Sequence, residues 1–276
     1  MTMKLTLYEQ EMLDGQYGWP VQKGMEILYR IGEIYGAEKM LPVQNVHMVN
    51  ASVSLSGKAA VLLAEKMCSM GAKFKTNTTL NPASVDLDCW RKIGFPESMY
   101  KQQKHLTELY TKMGAIPLHC CTPYLAGQVP RFGEHICWGE SSAVIYANSV
   151  LGARTNRNGG PLALSASLTG VVPAYGYHLD ENRYGQILIE VNTDLNEADE
   201  YGLLGFFVGE IVTDGVPVFT GIPKNVSLDK LKMLGSALAT SGAVAMFHVE
   251  GVTPEAPTIK DAFGPNTPEK VIRVGE

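Results

Sequence analysis

The feature that most constrains this chain is a repeated alternation of short apolar runs with segments of helical spacing that stop at a glycine. Residues 40–49 are apolar, residues 56–70 carry apolar side chains at helical spacing before Gly71, and residues 73–79 are extended again. A strand, a helix and a strand in this order form a βαβ unit with parallel strands. The repetition therefore predicts an α/β fold of mostly parallel sheets, covered by helices on both faces.

The same signals predict the remaining elements. A capping box at Thr6 and Glu9 begins a short first helix, and Gly36 and Gly114 provide left-handed ends for two longer ones. Further helices are predicted over residues 20–35, 97–113, 140–152 and 227–241, and strands over residues 115–121, 243–249 and within 187–219. With no internal repeat, the 276 residues form one large domain or two α/β subdomains whose boundary the sequence does not fix.

Composition excludes several classes of protein. The formal net charge is -5 and no run of Lys or Arg occurs, which argues against a nucleic-acid partner. The five cysteines are odd in number and form no CxxC pair, so neither a disulfide framework nor a four-cysteine zinc site is expected. No apolar signal segment opens the chain, and the uncharged residues 233–249 are broken by Gly and Ser. We therefore expect a cytoplasmic protein without membrane contact.

Three polar segments end strands of the predicted sheet. His47 ends the first strand, the run Thr-Thr-Leu-Asn-Pro over residues 78–82 ends the second, and Cys120 and Cys121 end the third. Ligands of open parallel sheets bind beyond the carboxyl ends of the strands. The sequence thus predicts that these segments converge on one edge.

Each of these side chains also has an ordinary structural interpretation. Adjacent residues of a strand point to opposite sides, so at most one of Cys120 and Cys121 can easily face the site. That cysteine is either an ordinary buried thiol or a ligand thiolate. His47 and His248 end apolar strands and are either hydrogen-bonded structural histidines or groups that meet a substrate.

A second polar region surrounds the helix predicted over residues 140–152. Ser141 or Ser142 caps this helix, and its N-terminus favours an anion. Glu140 precedes this helix, and its default role is structural, because a negative charge interacts favourably with the dipole at a helix N-terminus. Arg154 and Arg157 in the following glycine-rich loop are either solvated charges or bidentate ligands of a carboxylate or phosphate.

Long motifs occupy the same regions. They are Cys121-Thr122-Pro123-Tyr124-Leu125, Gly133-Glu134-His135, Glu140-Ser141-Ser142-Ala143-Val144 and Arg154-Thr155-Asn156-Arg157, accompanied by Thr78-Thr79-Leu80-Asn81-Pro82, Tyr175-Gly176-Tyr177-His178-Leu179 and Phe247-His248-Val249. Together they resemble the large, catalytic subunit of the aconitase X family. The resemblance spans nearly the whole chain.

The resemblance implies an aconitase-like fold and a hydro-lyase activity. In that family an iron–sulfur cluster, [4Fe-4S] or [2Fe-2S], is held by three cysteine thiolates and acts as a Lewis acid on the substrate hydroxyl. A small swivel subunit is the implied partner, and a small hydroxy acid is the implied substrate. The family dehydrates cis-3-hydroxy-L-proline to Δ1-pyrroline-2-carboxylate, or mevalonate 5-phosphate to its anhydro acid. We expect hydroxyproline here, because the chain lacks an extra basic cluster for a phosphate.

Carried onto this sequence, the resemblance assigns roles to individual residues. The implied metal ligand is Cys121. The implied catalytic residues are His47, Glu140, Ser141 and Ser142. The implied substrate contacts are Thr78, Thr79, Asn81, Arg154, Thr155, Asn156, Arg157 and His248.

The sequence departs from the family pattern in two places. Family large subunits usually continue beyond the point that corresponds to Glu276, and the later part carries the other cluster cysteines. We therefore expect that the chain is a partial catalytic region without a separate swivel domain. Three alternatives are open: the chain is a truncation, it is completed by another polypeptide, or it holds no cluster. The second departure is Met48-Val49-Asn50, which follows His47 where the family has a small residue pair.

Overall fold

A computed structural model describes residues 3–275, and the chain divides into two compact units. The first unit comprises the chain up to Gln128 together with His135–Glu140 and Asn158–Tyr175. The second comprises Val129–Glu134, Ser141–Arg157 and the chain from Gly176 onward. Within residues 3–275, no helix has the length and apolar character needed to cross a membrane.

The α-helices and strands alternate along the chain. The helices are α1 Leu7–Leu13, α2 Trp19–Tyr35, α3 Val53–Ser69, α4 Trp90–Ile93, α5 Glu97–Met113, α6 Ser141–Ser149, α7 Gly160–Thr169, α8 Ala198–Val212, α9 Leu228–Ser241 and α10 Ile259–Phe263. The strands are β1 Met40–Pro42, β2 Asn45–Met48, β3 Asn77–Leu80, β4 Cys137–Trp138, β5 Val171–Pro173, β6 Ile187–Val191, β7 Pro217–Thr220, β8 His248–Val249 and β9 Lys270–Val274. Short 3-10 turns cover Pro123–Ala126, Gly176–His178 and Asp180–Asn182.

The first unit is built on a three-stranded parallel sheet in the order β3-β2-β4. His47 on β2 lies opposite Thr79 on β3 and Trp138 on β4, so the register brings these three residues together. The β2-α3-β3 segment is the predicted βαβ unit, and the predicted parallel pairing is confirmed. Helices α2 and α7 pack together, and α7 contacts β2.

Local signals place the helices of this unit as expected. Thr6 and Glu9 form the capping box of α1, and α5 has the predicted bounds. Helix α2 ends at Gly36, whose φ of 70° is the left-handed conformation that glycine adopts without strain. Helix α3 has a short first turn, capped by the Ser52 side chain, which accepts a hydrogen bond from the Leu55 backbone N–H, and a kink at Gly57 (φ 63°), so its main part begins close to the predicted residue 56.

Two strand predictions in the first unit are wrong. Residues 40–49 form two strands in different sheets, since β1 pairs antiparallel with β5 while β2 pairs parallel with β3 and β4. Residues 115–121 form no strand: Ile116 makes a single bridge to Thr79, and His119 turns the chain at φ 49°. Cys120 and Cys121 therefore lie on a loop.

The second unit contains a four-stranded parallel sheet in the order β8-β7-β6-β9. Helices α8 and α9 pack closely, and α9 also contacts α6. The fold class predicted from the sequence, α/β with parallel sheets and covering helices, is confirmed.

The prediction of strands within residues 187–219 is correct at the two ends, where β6 and β7 form, and wrong in the middle, where α8 forms. Gly205 and Gly209 lie on the face of α8 toward α9, and a β-carbon on either would collide with α9. The two glycines allow α8 and α9 to pack closely. This packing outweighs the strand preference of neighbouring residues such as Phe206 and Phe207, and the segment is helical. The strand predicted over residues 243–249 is reduced to β8.

Candidate functional site

The two adjacent cysteines lie on the loop after α5 and differ in exposure. Cys121 is exposed and its thiol lies 3.4 Å from Asn81 Oδ1, beyond the end of β3. Cys120 is half-buried and its sulfur accepts a hydrogen bond from the Thr122 backbone N–H at 3.3 Å. The more open thiol is thus the one that the sequence resemblance selects, although no strand alternation produces the difference.

The environment of Cys121 favours the neutral thiol. Burial raises its pKa, and the nearby Glu140 carboxylate acts in the same direction. A cation that bound this sulfur would have to displace its proton. Glu140, half-buried at the end of its segment of the first unit, is the acidic group near that thiol.

His47 is fully buried in the first unit. Its Nδ1 lies 2.7 Å from Thr79 Oγ1, and its ring packs against Trp138 in a T-shaped arrangement with centroids 5.8 Å apart. Burial lowers the pKa of His47 to about 4, although the backbone of Cys120 opposes this shift. The imidazole is therefore neutral at pH 7, and it does not reach solvent in this structure.

Thr79 joins His47 to a chain of neutral side chains. The Thr79 hydroxyl donates to Gln128 Oε1 at 2.5 Å, and Gln128 Nε2 donates to Asn45 Oδ1 at 2.9 Å. Trp138 Nε1 donates to the same Asn45 oxygen at 2.7 Å. All five residues are buried, so the chain orders the interior around His47.

Thr78 and Asn81 have different surroundings. Thr78 is fully buried and its hydroxyl donates to the Thr76 carbonyl at 2.8 Å. Asn81, which precedes a cis bond to Pro82, accepts from the Cys121 thiol. Of the predicted residues, the first unit brings together His47 with Thr79, and Asn81 with Cys121 and Glu140. The backbone of Cys120, next to Cys121, interacts with the His47 ring and links the two groups.

The predicted serines and the arginine loop belong to the second unit. Ser141 is the first residue of α6 and Ser142 lies in its first turn, so neither precedes the helix as a cap. Both are half-buried.

Hydrogen bonds from side chains of α6 and of the loop after it hold this loop in place in the second unit. Asn148 Nδ2 donates to the Thr155 carbonyl at 2.9 Å, and the Thr155 N–H donates back to Asn148 Oδ1 at 3.0 Å. Asn156 Oδ1 accepts from the Tyr177 N–H at 2.8 Å. Arg157 donates to the Val244 carbonyl at 3.1 Å. These contacts shape the loop, and substrate contact by these residues stays a prediction.

A polar cavity of about 200 Å³ in the second unit holds Arg154 and His248. Arg154 forms an ion pair with the exposed Asp180 and donates to the His178 carbonyl at 3.2 Å. His248 Nε2 lies 2.8 Å from the Arg183 carbonyl, and because a carbonyl only accepts, Nε2 carries the proton. Burial lowers the pKa of His248.

Arg183, which the sequence analysis did not single out, is the central cation of this cavity. It is almost fully buried, and its guanidinium donates to both carboxylate oxygens of Glu255, with Nε at 3.1 and 2.9 Å. It also donates to the Tyr177, Asn148 and Ala153 carbonyls. Both guanidinium groups in the cavity thus already face a carboxylate.

The family is decided by two adjoining matches. Residues 2–181 match the aconitase X first domain and residues 185–276 match the aconitase X second domain. The chain belongs to the aconitase X family. The resemblance seen in its motifs is thereby confirmed.

Aconitase X relatives cover nearly all of this chain. The phosphomevalonate dehydratase large subunit of Methanothermobacter thermautotrophicus is 49% identical over 249 residues, which are 90% of this chain and 61% of the relative. The cis-3-hydroxy-L-proline dehydratase of Pseudomonas aeruginosa is 40% identical over 275 residues, or 99% of this chain and 47% of the relative. The chain therefore spans less than two thirds of these curated relatives.

A solved aconitase X has the same fold. The crystal structure of Thermococcus kodakaraensis aconitase X in its holo form matches with a TM-score of 0.89 and 39% identity, covering 99% of this chain and 67% of that one.

The aconitase X residues described here do not by themselves fit an iron–sulfur cluster. Across residues 3–275, no group of three His, Cys, Asp or Glu side chains is arranged to hold a metal ion. Such a cluster takes three thiolates, whereas Cys121 brings one and Cys120 is turned into its own loop.

Sequence reasoning missed Asn45, Gln128 and Trp138 in the first unit and Arg183 and Glu255 in the second. Asn45 carried a signal, since it lies two residues before His47 on the same face of a buried strand. Gln128 and Arg183 lie on loops, where no periodicity marks them.

Proposed function

We propose that this chain forms the catalytic region of a hydro-lyase that removes water from a small hydroxy acid. The observation that carries the proposal is the match to aconitase X domains over both units, with relatives named as dehydratases at 35–49% identity. In such a reaction a neighbouring carbon gives up a proton, its electron pair forms a carbon–carbon double bond as the carbon–oxygen bond of the hydroxyl breaks, and the hydroxyl and a proton leave as water.

In this proposal Cys121 is one thiolate ligand of an iron–sulfur cluster, and Glu140 is the acid–base group beside it. The exposure of the Cys121 thiol supports its role as a ligand, and the electrostatic effect of Glu140 on that thiol supports the nearness of the carboxylate. Because the raised pKa favours the thiol, binding of the metal would release its proton. His47 and Thr79 are buried in this conformation, so we assign them to the support of the cysteine loop and not to direct contact with substrate.

In the second unit, the proposal uses Arg154 as the contact for an anionic substrate group. Arg154 is 20% exposed and its partner Asp180 is 72% exposed, so a substrate anion can compete for the guanidinium at small cost. The hydroxyls of Ser141 and Ser142, in the first turn of α6, are proposed as further hydrogen-bonding groups.

Mevalonate 5-phosphate is the substrate that we favour. Five relatives are named phosphomevalonate dehydratase large subunits, four of them at 41–49% identity and one at 35%, against 40% and 37% for two cis-3-hydroxy-L-proline dehydratases. This choice differs from the sequence-based expectation of hydroxyproline, which rested on the lack of an extra basic cluster for a phosphate. Hydroxyproline stays the second candidate, because its dehydratase from Pseudomonas aeruginosa aligns with 99% of the chain. The words "large subunit" in the names of relatives support a small subunit as partner.

The test is an assay of water loss by NMR with both substrates. The chain is reconstituted with iron and sulfide, and a family small subunit and the remaining family domain are supplied. We expect turnover of mevalonate 5-phosphate. Turnover of cis-3-hydroxy-L-proline alone would favour the second candidate, and no turnover of either would overturn the hydro-lyase proposal.

Two matched variant pairs locate the activity. Cys121→Ser is expected to remove both iron retention and turnover, whereas Cys120→Ser retains them. Glu140→Gln is expected to lower kcat by about 10²–10⁴-fold, as for loss of an acid–base group. Glu38→Gln, at an exposed position, leaves kcat unchanged. Equal activity of Glu140→Gln and Glu38→Gln would remove Glu140 from the proposed chemistry.

A further inference from the structure

The hydrogen-bond chain around His47 begins at a group that can only donate. The Trp138 indole N–H lies 2.7 Å from Asn45 Oδ1 and has no acceptor capacity, so it fixes which way the Asn45 amide points. Gln128 Nε2 lies 2.9 Å from that same oxygen and 3.2 Å from the Val46 carbonyl. Both are acceptors, so the Gln128 amide is fixed as well.

The orientation of Gln128 decides the proton of Thr79. Gln128 Oε1 lies 2.5 Å from Thr79 Oγ1, and since an amide oxygen only accepts, the single hydroxyl proton of Thr79 points to Gln128. Thr79 Oγ1 must then accept at its other contact, His47 Nδ1 at 2.7 Å. The proton of the neutral imidazole therefore resides on Nδ1.

The opposite arrangement brings like groups together at each step. If Thr79 donated to His47, its oxygen would face Gln128 Oε1 at 2.5 Å without a proton between them. Turning the Gln128 amide would set its oxygen 2.9 Å from Asn45 Oδ1, and turning Asn45 too would set two donors 2.7 Å apart at Trp138. Buried contacts of this kind are unfavourable, so only one proton arrangement satisfies the whole chain.

We propose that Gln128 and Asn45 are positioning residues, which act through Thr79 to hold His47 as the Nδ1–H tautomer with an unprotonated Nε2. This Nε2 is buried and makes no hydrogen bond of ordinary geometry among residues 3–275. The Cys120 backbone carbonyl also acts on the ring and favours a proton on the nitrogen that it faces, but that contact is not of ordinary geometry, whereas Nδ1 lies 2.7 Å from Thr79 Oγ1; the Thr79 contact therefore decides the tautomer. A group that meets it must bring a donor, such as a hydroxyl, a thiol or a water. Thr79 thereby belongs to the support of His47 and not to the substrate contacts, and this inference does not depend on the proposed hydro-lyase activity.

The test is the tautomer of His47, read from the two ring nitrogen signals of the ¹⁵N-labelled full chain by NMR. In the unmodified chain we expect a protonated Nδ1 and an unprotonated Nε2. Thr79→Val removes the acceptor at nearly constant volume and is expected to make the Nε2–H form the major one. Gln128→Met releases the Thr79 proton and is expected to shift the tautomer in the same direction.

Two variants separate this role from a general packing effect. Thr78→Val changes the neighbouring buried threonine, whose hydroxyl donates to the Thr76 carbonyl outside the chain, and it is expected to leave the tautomer unchanged. Thr79→Ser restores the hydroxyl and is expected to restore the Nδ1–H form. An Nε2–H form in the unmodified chain, or equal spectra for Thr79→Val and Thr78→Val, would overturn the proposal.

Discussion

The two units hold their polar interiors by different means. Around His47 in the first unit, every linked side chain is neutral, from the Trp138 indole to the imidazole itself. Around His248 in the second unit, the central contact is the charged pair of Arg183 and Glu255. A neutral chain can fix the orientation of each member, but a buried charge that loses its partner costs far more free energy.

The largest effect is expected when the charged centre of the second unit is broken. Glu255→Gln leaves the nearly buried Arg183 guanidinium without its counter-charge, so we expect the free energy of unfolding to fall by about 3–5 kcal/mol. Asp180→Asn is the matched control, since Asp180 is 72% exposed and its pair with Arg154 contributes about 1 kcal/mol or less. Urea unfolding followed by circular dichroism measures both, and similar losses for the two variants would contradict the distinction.

The neutral imidazole of the first unit predicts a dependence of stability on pH. Burial lowers the pKa of His47 from 6.5 to about 4, so between these values the unfolded chain binds a proton that the folded chain does not. Stability present at pH 7 is therefore lost as the pH falls, by up to roughly 3 kcal/mol at pH 4.

This loss is measured as the difference in unfolding free energy between pH 7 and pH 4 for matched variants. His47→Gln is expected to lack the His47 contribution, whereas His105→Gln, at an exposed position, is expected to keep that contribution. An unchanged dependence in His47→Gln would show that His47 is not buried as a neutral group.

A second neutral network sharpens the comparison within the first unit. Gln103 is fully buried, accepts from the Ser84 N–H at 3.0 Å and donates to the Ala51 carbonyl at 2.7 Å. Gln103→Leu leaves both groups unpaired and is expected to cost about 2 kcal/mol, less than Glu255→Gln, because no charge is stranded. Exposed Gln102→Leu is expected to change stability by about 0.5 kcal/mol or less. A larger loss for Gln103→Leu than for Glu255→Gln would reverse the comparison.

The smallest effect is expected at Cys120. Its sulfur bonds locally with Thr122, and a serine hydroxyl can make the same contacts, so Cys120→Ser is expected to cost about 0.5 kcal/mol or less. Cys137→Ser is the contrast, because Cys137 is fully buried in the core and a hydroxyl there costs roughly 1–3 kcal/mol. Thermal unfolding measures both variants. Equal losses of stability would indicate that Cys120, like Cys137, is packed in the interior.

Helices whose signals are local were predicted well. Helix α5 has the predicted bounds because apolar spacing and the glycine after it agree, and α9 follows its Ser227 cap. Helix α8 was missed, although its buried residues Tyr201, Leu204 and Val208 have helical spacing. Its β-forming residues dominated the interpretation, and only packing against α9 explains its glycines.

The candidate site was also predicted only in part. The sequence placed His47 and residues 78–81 at the ends of neighbouring parallel strands, and the pairing of His47 with Thr79 confirms that placement. It could not give the environment of Arg154, since the partner Asp180 lies on a separate turn, nor the burial that removes His47 from solvent.

By itself, the sequence determined the parallel α/β architecture, the ends of helices such as α2, α5 and α9, and the family, because helical spacing, caps and long motifs are properties of neighbouring residues. Only the tertiary structure decided which hydrogen-bonding groups face each other. The contacts that fix His47 join residues 32, 49, 83 and 93 positions apart, and no periodicity along the chain encodes such pairs. Donors and acceptors must match once they are buried, so the proton on His47 follows from the folded arrangement of Thr79, Gln128, Asn45 and Trp138.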